Sequence, residues 1–153
     1  MKFTFLYKEG VVSFLFVSLP VGVIVLRMGL SLLFGGLIGF EREYRGKPAG
    51  IRTIAFVSLG STLMMLIAIT IHQESMGGSS DVIRMLQGIV TGIGFLGAGS
   101  VIQMDNKVKG LTTAAAIWMV GAIGAAVGAG YYPLATVAEV FSLILIGVKA
   151  NHG

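Results

Sequence analysis

Apolar segments, each about as long as a bilayer is thick, follow one another along almost the whole chain of 153 residues. A helix needs about 20 apolar residues to cross the ~30 Å hydrocarbon core of a membrane. A soluble domain of this size, with 55% hydrophobic and 12% charged residues, could not hide so much apolar surface. The sequence therefore predicts an all-α fold, a polytopic membrane bundle of about five glycine-rich helices. The predicted spans cover about residues 21–40, 53–72, 83–103, 111–129 and 134–149.

The length of the chain predicts a single domain, with a short segment on either side of it. Residues 1–20 are interpreted as an apolar lead-in, residues 21–149 as the transmembrane domain, and residues 150–153 as a tail. The apolar run over residues 10–40 is too long for one span and too short for two spans with a turn. An additional span over residues 10–25 therefore stays an alternative. The lack of an A-x-A-like site disfavours a cleaved signal peptide.

Basic residues are divided unevenly between the two sides of such a bundle. With five spans, one side holds loops 41–52 and 105–110 and the C-terminus, and the other side holds Lys2, Lys8 and Arg84. Lys and Arg collect on the cytoplasmic side of membrane proteins. We therefore expect a multi-pass inner (plasma) membrane protein with its N-terminus outside and its C-terminus in the cytoplasm. This reading accounts for the net charge of +4 without nucleic acid as a partner.

Glycine is the most prominent residue type, with 23 in the chain, and cysteine is absent. Helices approach closely in lipid where small residues face each other. A broken helix over Gly94–Gly99, with free carbonyls lining a cavity, is the alternative to packing there. The G-x-G-x-x-G over residues 92–97 follows no strand, which excludes a dinucleotide site. The glycines predicted to act in packing or through their backbone are Gly35, Gly39, Gly88, Gly92, Gly94, Gly97, Gly99, Gly124 and Gly128.

Ionisable and polar side chains at membrane depth are functional candidates by default. Arg27, Asp81, Arg84 and Glu139 all fall in the predicted outer half of the membrane. We expect them to form an ion-pair network there, with an ion or proton pathway as the alternative. The span residues Gln87, Thr112 and Thr113 are expected to form hydrogen bonds between helices.

Glu41 and Glu43 form a close carboxylate pair at the predicted inner side. On a regular helix they point about 200° apart, and i,i+4 spacing predicts Glu41–Arg45 and Glu43–Lys47 salt bridges instead. If the helix ended there, both carboxylates could contribute oxygens to Mg²⁺. Glu43 and Asp81 are therefore the candidate metal ligands. No nucleophile, base and orienting group converge in the sequence, so we do not expect an enzyme.

Three blocks of sequence, in order, resemble the MgtC/SapB family of bacterial inner-membrane proteins. The first comprises GGLIGFERE at residues 35–43, AGIRT at 49–53 and LGS at 59–61. The second comprises Asp81, Arg84, Gln87 and GIGFLGAG at 92–99, and the third comprises GLTTAA at 110–115, Trp118 and residues 124–130. The resemblance covers about residues 24–149. It places Arg27, Glu43, Arg52, Asp81 and Arg84 at positions that are polar in the family.

This resemblance implies a protein tied to growth at low Mg²⁺ and, in pathogens, to survival in host cells. We expect a regulator in the lipid bilayer that acts through other inner-membrane proteins, because the spans show no internal repeat of the kind many transporters have. The alternative is a transporter of Mg²⁺ or another cation, or a subunit of one, in which a homo-oligomer would supply a pore. Two departures stand out: Ile54 replaces a frequent His, and the soluble C-terminal domain of longer members is not expected here.

Overall fold

Five helices and one small hairpin make up the computed structural model, which describes residues 19–74, 80–104 and 107–148. Helices α1 to α4 are long and apolar enough to cross a membrane, and α5 is a shorter apolar helix of 16 residues. This confirms the polytopic helical membrane fold. The helices are α1 (Val21–Tyr44), α2 (Ile51–Glu74), α3 (Ser80–Gly99), α4 (Leu111–Ala129) and α5 (Tyr132–Gly147).

Helix α4 is the central element of the bundle. It is the most buried of the four long helices and packs against all the others. Gly110 and Gly130 flank it in left-handed backbone conformations, with φ of 94° and 86°. A Cβ on Gly110 would collide with the carbonyl oxygen of Ser100, so a side chain there would push the chain entering α4 away from the end of α3. The predicted bounds of this span, 111–129, are those of the helix.

Small residues hold α1, α2 and α4 close together. A Cβ on Gly35 would lie 2.8 Å from Ser58 Cβ, one on Gly124 would collide with the Ser58 carbonyl oxygen, and one on Gly128 would lie 2.8 Å from the Thr62 carbonyl oxygen. Hydrogen bonds close the same contact: Ser31 to Ser58 at 2.9 Å, and Thr62 Oγ1 to the Gly124 carbonyl at 2.7 Å. We call this contact the small-residue seam; its members are Ser31, Gly35, Gly39, Ser58, Thr62, Gly124 and Gly128.

Helix α3 differs from its prediction at its C-terminal end. It is a regular helix to Gly99, so the broken-helix alternative at Gly94–Gly99 is wrong, and the predicted continuation to residue 103 is wrong too. Strands β1 (Ile102–Met104) and β2 (Lys107–Lys109) follow instead and pair antiparallel, with Met104 opposite Lys107. The two residues that connect the strands, 105–106, lie outside the described residues.

One end of the bundle is rich in basic residues. The ends of α1 and α5, the starts of α2 and α4, and the β1–β2 hairpin lie at what we call the basic end, which includes Arg42, Arg45, Lys47, Arg52 and Lys109. The lead-in up to residue 18, residues 75–79, Lys149 and the tail lie outside the described residues, as do the side chains of Asp81 and Lys107.

Candidate functional site

Arg27 lies where α4 ends and α5 begins. Its Nη1 donates to the Gly128 carbonyl at 2.7 Å, and its Nε donates to the Tyr132 hydroxyl at 3.2 Å. The last carbonyls of a helix have no partner within the helix and carry the negative end of its dipole. Arg27 therefore caps α4. Among the described side chains, the predicted pairing of Arg27 with Glu139 is not formed, because the guanidinium binds a carbonyl and a phenol instead.

Arg42 lies at the basic end and is only 2% exposed. Its Nη2 donates to the Pro48 carbonyl at 2.6 Å and to Thr113 Oγ1 at 2.7 Å, and its Nε donates to the Ala49 carbonyl at 3.2 Å. Ala49 has a φ of 58°, an uncommon conformation for a residue with a side chain. The guanidinium thus joins the α1–α2 loop to the start of α4.

Sequence reasoning counted Arg42 as a loop base and missed this role. A sequence signal for this role was present. Arg42 continues the buried stripe of α1 that contains Gly35, Ile38 and Gly39, at the spacing of three or four residues that places side chains on one helix face.

Arg27 belongs to the other end of the same helix. The separation of Arg27 and Arg42 along α1 equals that of Thr113 and Gly128 along α4, so two arginines of one helix hold both ends of its antiparallel neighbour.

The carboxylates of Glu41 and Glu43 serve two separate contacts. Glu41 forms the predicted salt bridge with Arg45, and Arg45 Nη2 also donates to the Gly147 carbonyl at 2.9 Å, which ties the end of α5 to α1. Glu43 Oε2 instead accepts from the Ile51 backbone N–H at 3.0 Å. Glu43 therefore caps α2, and the predicted Glu43–Lys47 pair is replaced by this contact.

These contacts bear on the Mg²⁺ alternative at Glu41 and Glu43. Helix α1 continues to Tyr44, so it does not end in a way that turns both carboxylates to one ion. Among the described residues, no three Asp, Glu or His side chains lie close enough together to hold a metal ion. Arg52, Thr112 and Gln87 are exposed, whereas Thr113 is buried against Arg42.

Glu139 is a buried acid in the middle of α5. Its side chain is 3% exposed, and neither carboxylate oxygen has a hydrogen-bond partner among the described residues. Ser142 lies on the same buried face, but its hydroxyl donates to the Ala138 carbonyl at 2.7 Å. Glu139 lies seven residues after Tyr132 and eight before Gly147, so it is about 10–12 Å from either end of the helix.

Helix α3 turns a polar and small-residue face away from the bundle. Ile89 and Ile93 are buried against the other helices, whereas Phe95 on the opposite side is 80% exposed. A Cβ on Gly88, Gly92, Gly94 or Gly99 would meet nothing within 4 Å. The predicted packing of these four glycines is therefore not found within the described part of the chain. A Cβ on Gly97, by contrast, would lie 3.5 Å from the Ala114 carbonyl oxygen. We call this surface the outward face of α3; its exposed members are Arg84, Gln87, Gly88, Thr91, Gly92, Gly94, Phe95 and Gly99.

The exposed surfaces of the other helices are mainly apolar along the spans. Thr136 of α5 is exposed too, and its hydroxyl donates to the Tyr132 carbonyl of the same helix at 2.9 Å. Leu33 of α1, Phe56 and Ile67 of α2, and Phe141 and Leu145 of α5 are all exposed. Such side chains suit contact with lipid. The outward face of α3, which carries an arginine, an amide and a hydroxyl, does not.

A cavity of about 300 Å³ lies between α2, α3, α4 and the start of α5. Met65, Ile89, Trp118 and Leu134 are among its lining residues, and none of the described residues that line it is charged. An apolar chamber of this kind offers no ligands to a hydrated cation, since Mg²⁺ is bound through oxygen ligands and water.

The model of the MgtC family matches residues 28–152. Protein SrpB of Synechococcus elongatus is 37% identical over 129 residues, which cover 78% of this chain and 71% of SrpB. The Escherichia coli K12 protein named "Putative magnesium transporter YhiD" is 37% identical over 129 residues, covering 81% of this chain and 59% of YhiD. Protein MgtC of Brucella abortus is 41% identical over 120 residues, covering 78% of this chain and 47% of that protein. This chain thus spans little more than half of YhiD and about half of the Brucella protein. No solved structure matches it.

Proposed function

The chain belongs to the MgtC family, and we propose that it is an inner-membrane protein of Mg²⁺ homeostasis that regulates other membrane proteins. The family and the name of YhiD support the link to Mg²⁺. In pathogens the same role would assist survival in host cells. The basic end would face the cytoplasm, since Lys and Arg collect there, with the C-terminus inside and the N-terminus outside.

The outward face of α3 carries this proposal. Polar and charged side chains at membrane depth face protein or a water-filled cavity rather than lipid, and glycines allow a second helix backbone to approach closely. Gln87 and Thr91 lie on this face beside Gly88 and Gly92. The occupant that suits this combination is a transmembrane helix of a partner protein, with small residues opposite the glycines and polar groups opposite Gln87 and Thr91.

The contacts of the arginines favour regulation over transport. Arg27, Arg42 and Arg45 bind carbonyls, hydroxyls and one carboxylate within the bundle. These contacts hold helix ends together, so the three guanidinium groups have a structural role. The described cavity is apolar, whereas an ion pathway needs oxygen ligands or water.

A Mg²⁺ or other cation transporter, or a subunit of one, is the second candidate. Glu139 favours it, because an acid at membrane depth marks ion or proton pathways in many membrane proteins. Reconstitution of the purified protein in liposomes separates the two. Mg²⁺ flux above that of protein-free liposomes, abolished in Glu139→Gln or Glu43→Gln, would replace the regulator proposal with transport.

The docking proposal is tested by Gly92→Leu in a host strain that lacks the native protein. We expect this variant to reach wild-type levels in the membrane but to lose complementation of growth in Mg²⁺-limited medium. Gly60→Leu is the matched control, because Gly60 is an exposed glycine of α2 with nothing within 4 Å of an added Cβ. The control should complement like wild type.

Photocross-linking identifies what covers the face. A benzophenone side chain at position 91 should yield a specific adduct with another membrane protein, and Gly92→Leu should abolish it. The same group at position 141, on the apolar surface of α5, should yield none. An adduct with a second copy of this chain would redirect the proposal to a homo-oligomer. Wild-type growth of Gly92→Leu would refute docking through this face.

A further inference from the structure

Among the described residues, Glu139 is a buried acid without a counter-ion. Both ends of its helix are held by arginines: Tyr132 receives a hydrogen bond from Arg27 of α1, and the Gly147 carbonyl receives one from Arg45, the residue that follows α1. Glu139 lies between these two fixed points, about 10–12 Å from each. Both arginines are engaged in these contacts, and neither is hydrogen-bonded to Glu139.

The helices packed against α5 supply no other cation. Helix α4 contains no ionisable residue, and on α1 the remaining arginine, Arg42, is engaged with Pro48, Ala49 and Thr113. Helix α2 carries its basic residues, Arg52 and His72, in its first and last turns. The ionisable groups of the neighbouring helices thus lie towards the ends of the bundle, while Glu139 is near mid-depth.

An ionised carboxylate that is buried without a partner is strongly disfavoured in a protein interior, and a bilayer offers no water to replace the missing partner. The group must bind a cation or become neutral. A metal ion would need several further oxygen ligands, and no group of three acidic or His side chains exists among the described residues to provide them. A proton needs only the carboxylate itself.

We propose that Glu139 is a proton-binding site within the membrane, held as a neutral carboxylic acid while α5 is docked on α1 and α4. The ligand is the proton, bound to one of the two carboxylate oxygens. Release of the proton would leave an unpartnered anion on the buried face of α5, so proton release and undocking of α5 are linked. This site is independent of the outward face of α3, and its failure would leave the docking proposal intact.

Infrared difference spectroscopy of the protein reconstituted in lipid at neutral pH tests the site. Subtracting the Glu139→Gln spectrum from that of wild type should reveal the carbonyl band of a protonated carboxylic acid, which shifts in D₂O. Glu43→Gln is the matched control: Glu43 is exposed and accepts an N–H, so its difference spectrum should contain carboxylate bands only. Carboxylate bands for Glu139, or loss of its acid band on addition of Mg²⁺ or Na⁺, would overturn the assignment.

A second measurement does not depend on the folding of a variant. Dicyclohexylcarbodiimide reacts with protonated carboxyl groups in hydrocarbon surroundings, and the modified residue is located by mass spectrometry of the wild-type protein. We expect modification at Glu139 and none at Glu41 or Glu43. Modification that spares Glu139 would contradict a protonated acid at this position.

Discussion

The small-residue seam and the outward face of α3 contain the same residue type in opposite surroundings. At Gly35, Gly124 and Gly128 an added Cβ would collide with a neighbouring helix, whereas at Gly88 and Gly92 it would meet nothing within 4 Å. Both stretches nevertheless contain glycines four residues apart. Glycine spacing therefore shows that a helix is suited to close approach, but it does not show whether the approaching helix belongs to the same chain.

The hydrogen bonds of the polar side chains also differ between the seam and the outward face of α3. In the seam, Ser31 bonds Ser58 and Thr62 bonds a carbonyl of α4, so each hydroxyl connects two helices. On α3, the Thr91 hydroxyl donates to the Gln87 carbonyl of its own helix at 2.8 Å. The hydrogen bonds of the seam are thus completed within one chain. The Thr91 hydroxyl, in contrast, forms no hydrogen bond to another described helix.

The largest expected effect is that of Gly124→Ala. Its Cβ would collide with the backbone of Ser58, which cannot move without displacing α2, and overpacking of this kind typically costs about 1–3 kcal/mol. The thermal unfolding midpoint in detergent should fall. Gly60→Ala, exposed on α2, is the control and should not lower it. An unchanged midpoint for Gly124→Ala would mean that the seam is looser than described.

Gly92→Ala should have the opposite sign. The new methyl group meets no neighbour, and alanine is favoured over glycine inside a helix by about 0.5–1 kcal/mol. The unfolding midpoint of the purified protein should therefore rise slightly. A loss as large as that of Gly124→Ala would show that the outward face of α3 is already covered by this chain, and the comparison of the two surfaces would fail.

The Ser31–Ser58 hydrogen bond should contribute less than the glycine contacts. Hydrogen bonds between transmembrane helices average about 0.6 kcal/mol in double-mutant cycles. A cycle of Ser31→Ala, Ser58→Ala and the double variant should give a coupling energy of about that size. A coupling energy near zero would indicate that the seam is held by packing alone.

Sequence patterns predicted the elements that depend on local properties. The hydropathy of α4 and its flanking glycines located residues 111–129 correctly, and i,i+4 spacing predicted the Glu41–Arg45 salt bridge. The Gly128 carbonyl that binds Arg27 lies 101 residues away in sequence, and the Thr113 hydroxyl that binds Arg42 lies 71 residues away. No local spacing specifies these two partners. Which glycines of α3 meet another helix depends on how the helix is rotated about its axis, which tertiary contacts decide. The same limit explains why Glu139 was expected in an ion-pair network.

Gly97 lies between the two surfaces and should produce the smallest effect. Unlike the other glycines of α3, it faces α4, and an added Cβ would lie 3.5 Å from the Ala114 carbonyl oxygen, an ordinary contact distance. The gain in helix propensity is then opposed only by slight crowding, so Gly97→Ala should change the free energy of unfolding by no more than about 0.5 kcal/mol. Urea or thermal unfolding beside Gly92→Ala and Gly124→Ala measures this. A cost similar to that of Gly124→Ala would place α3 inside the seam, and the boundary between the two surfaces would then lie beyond Gly97.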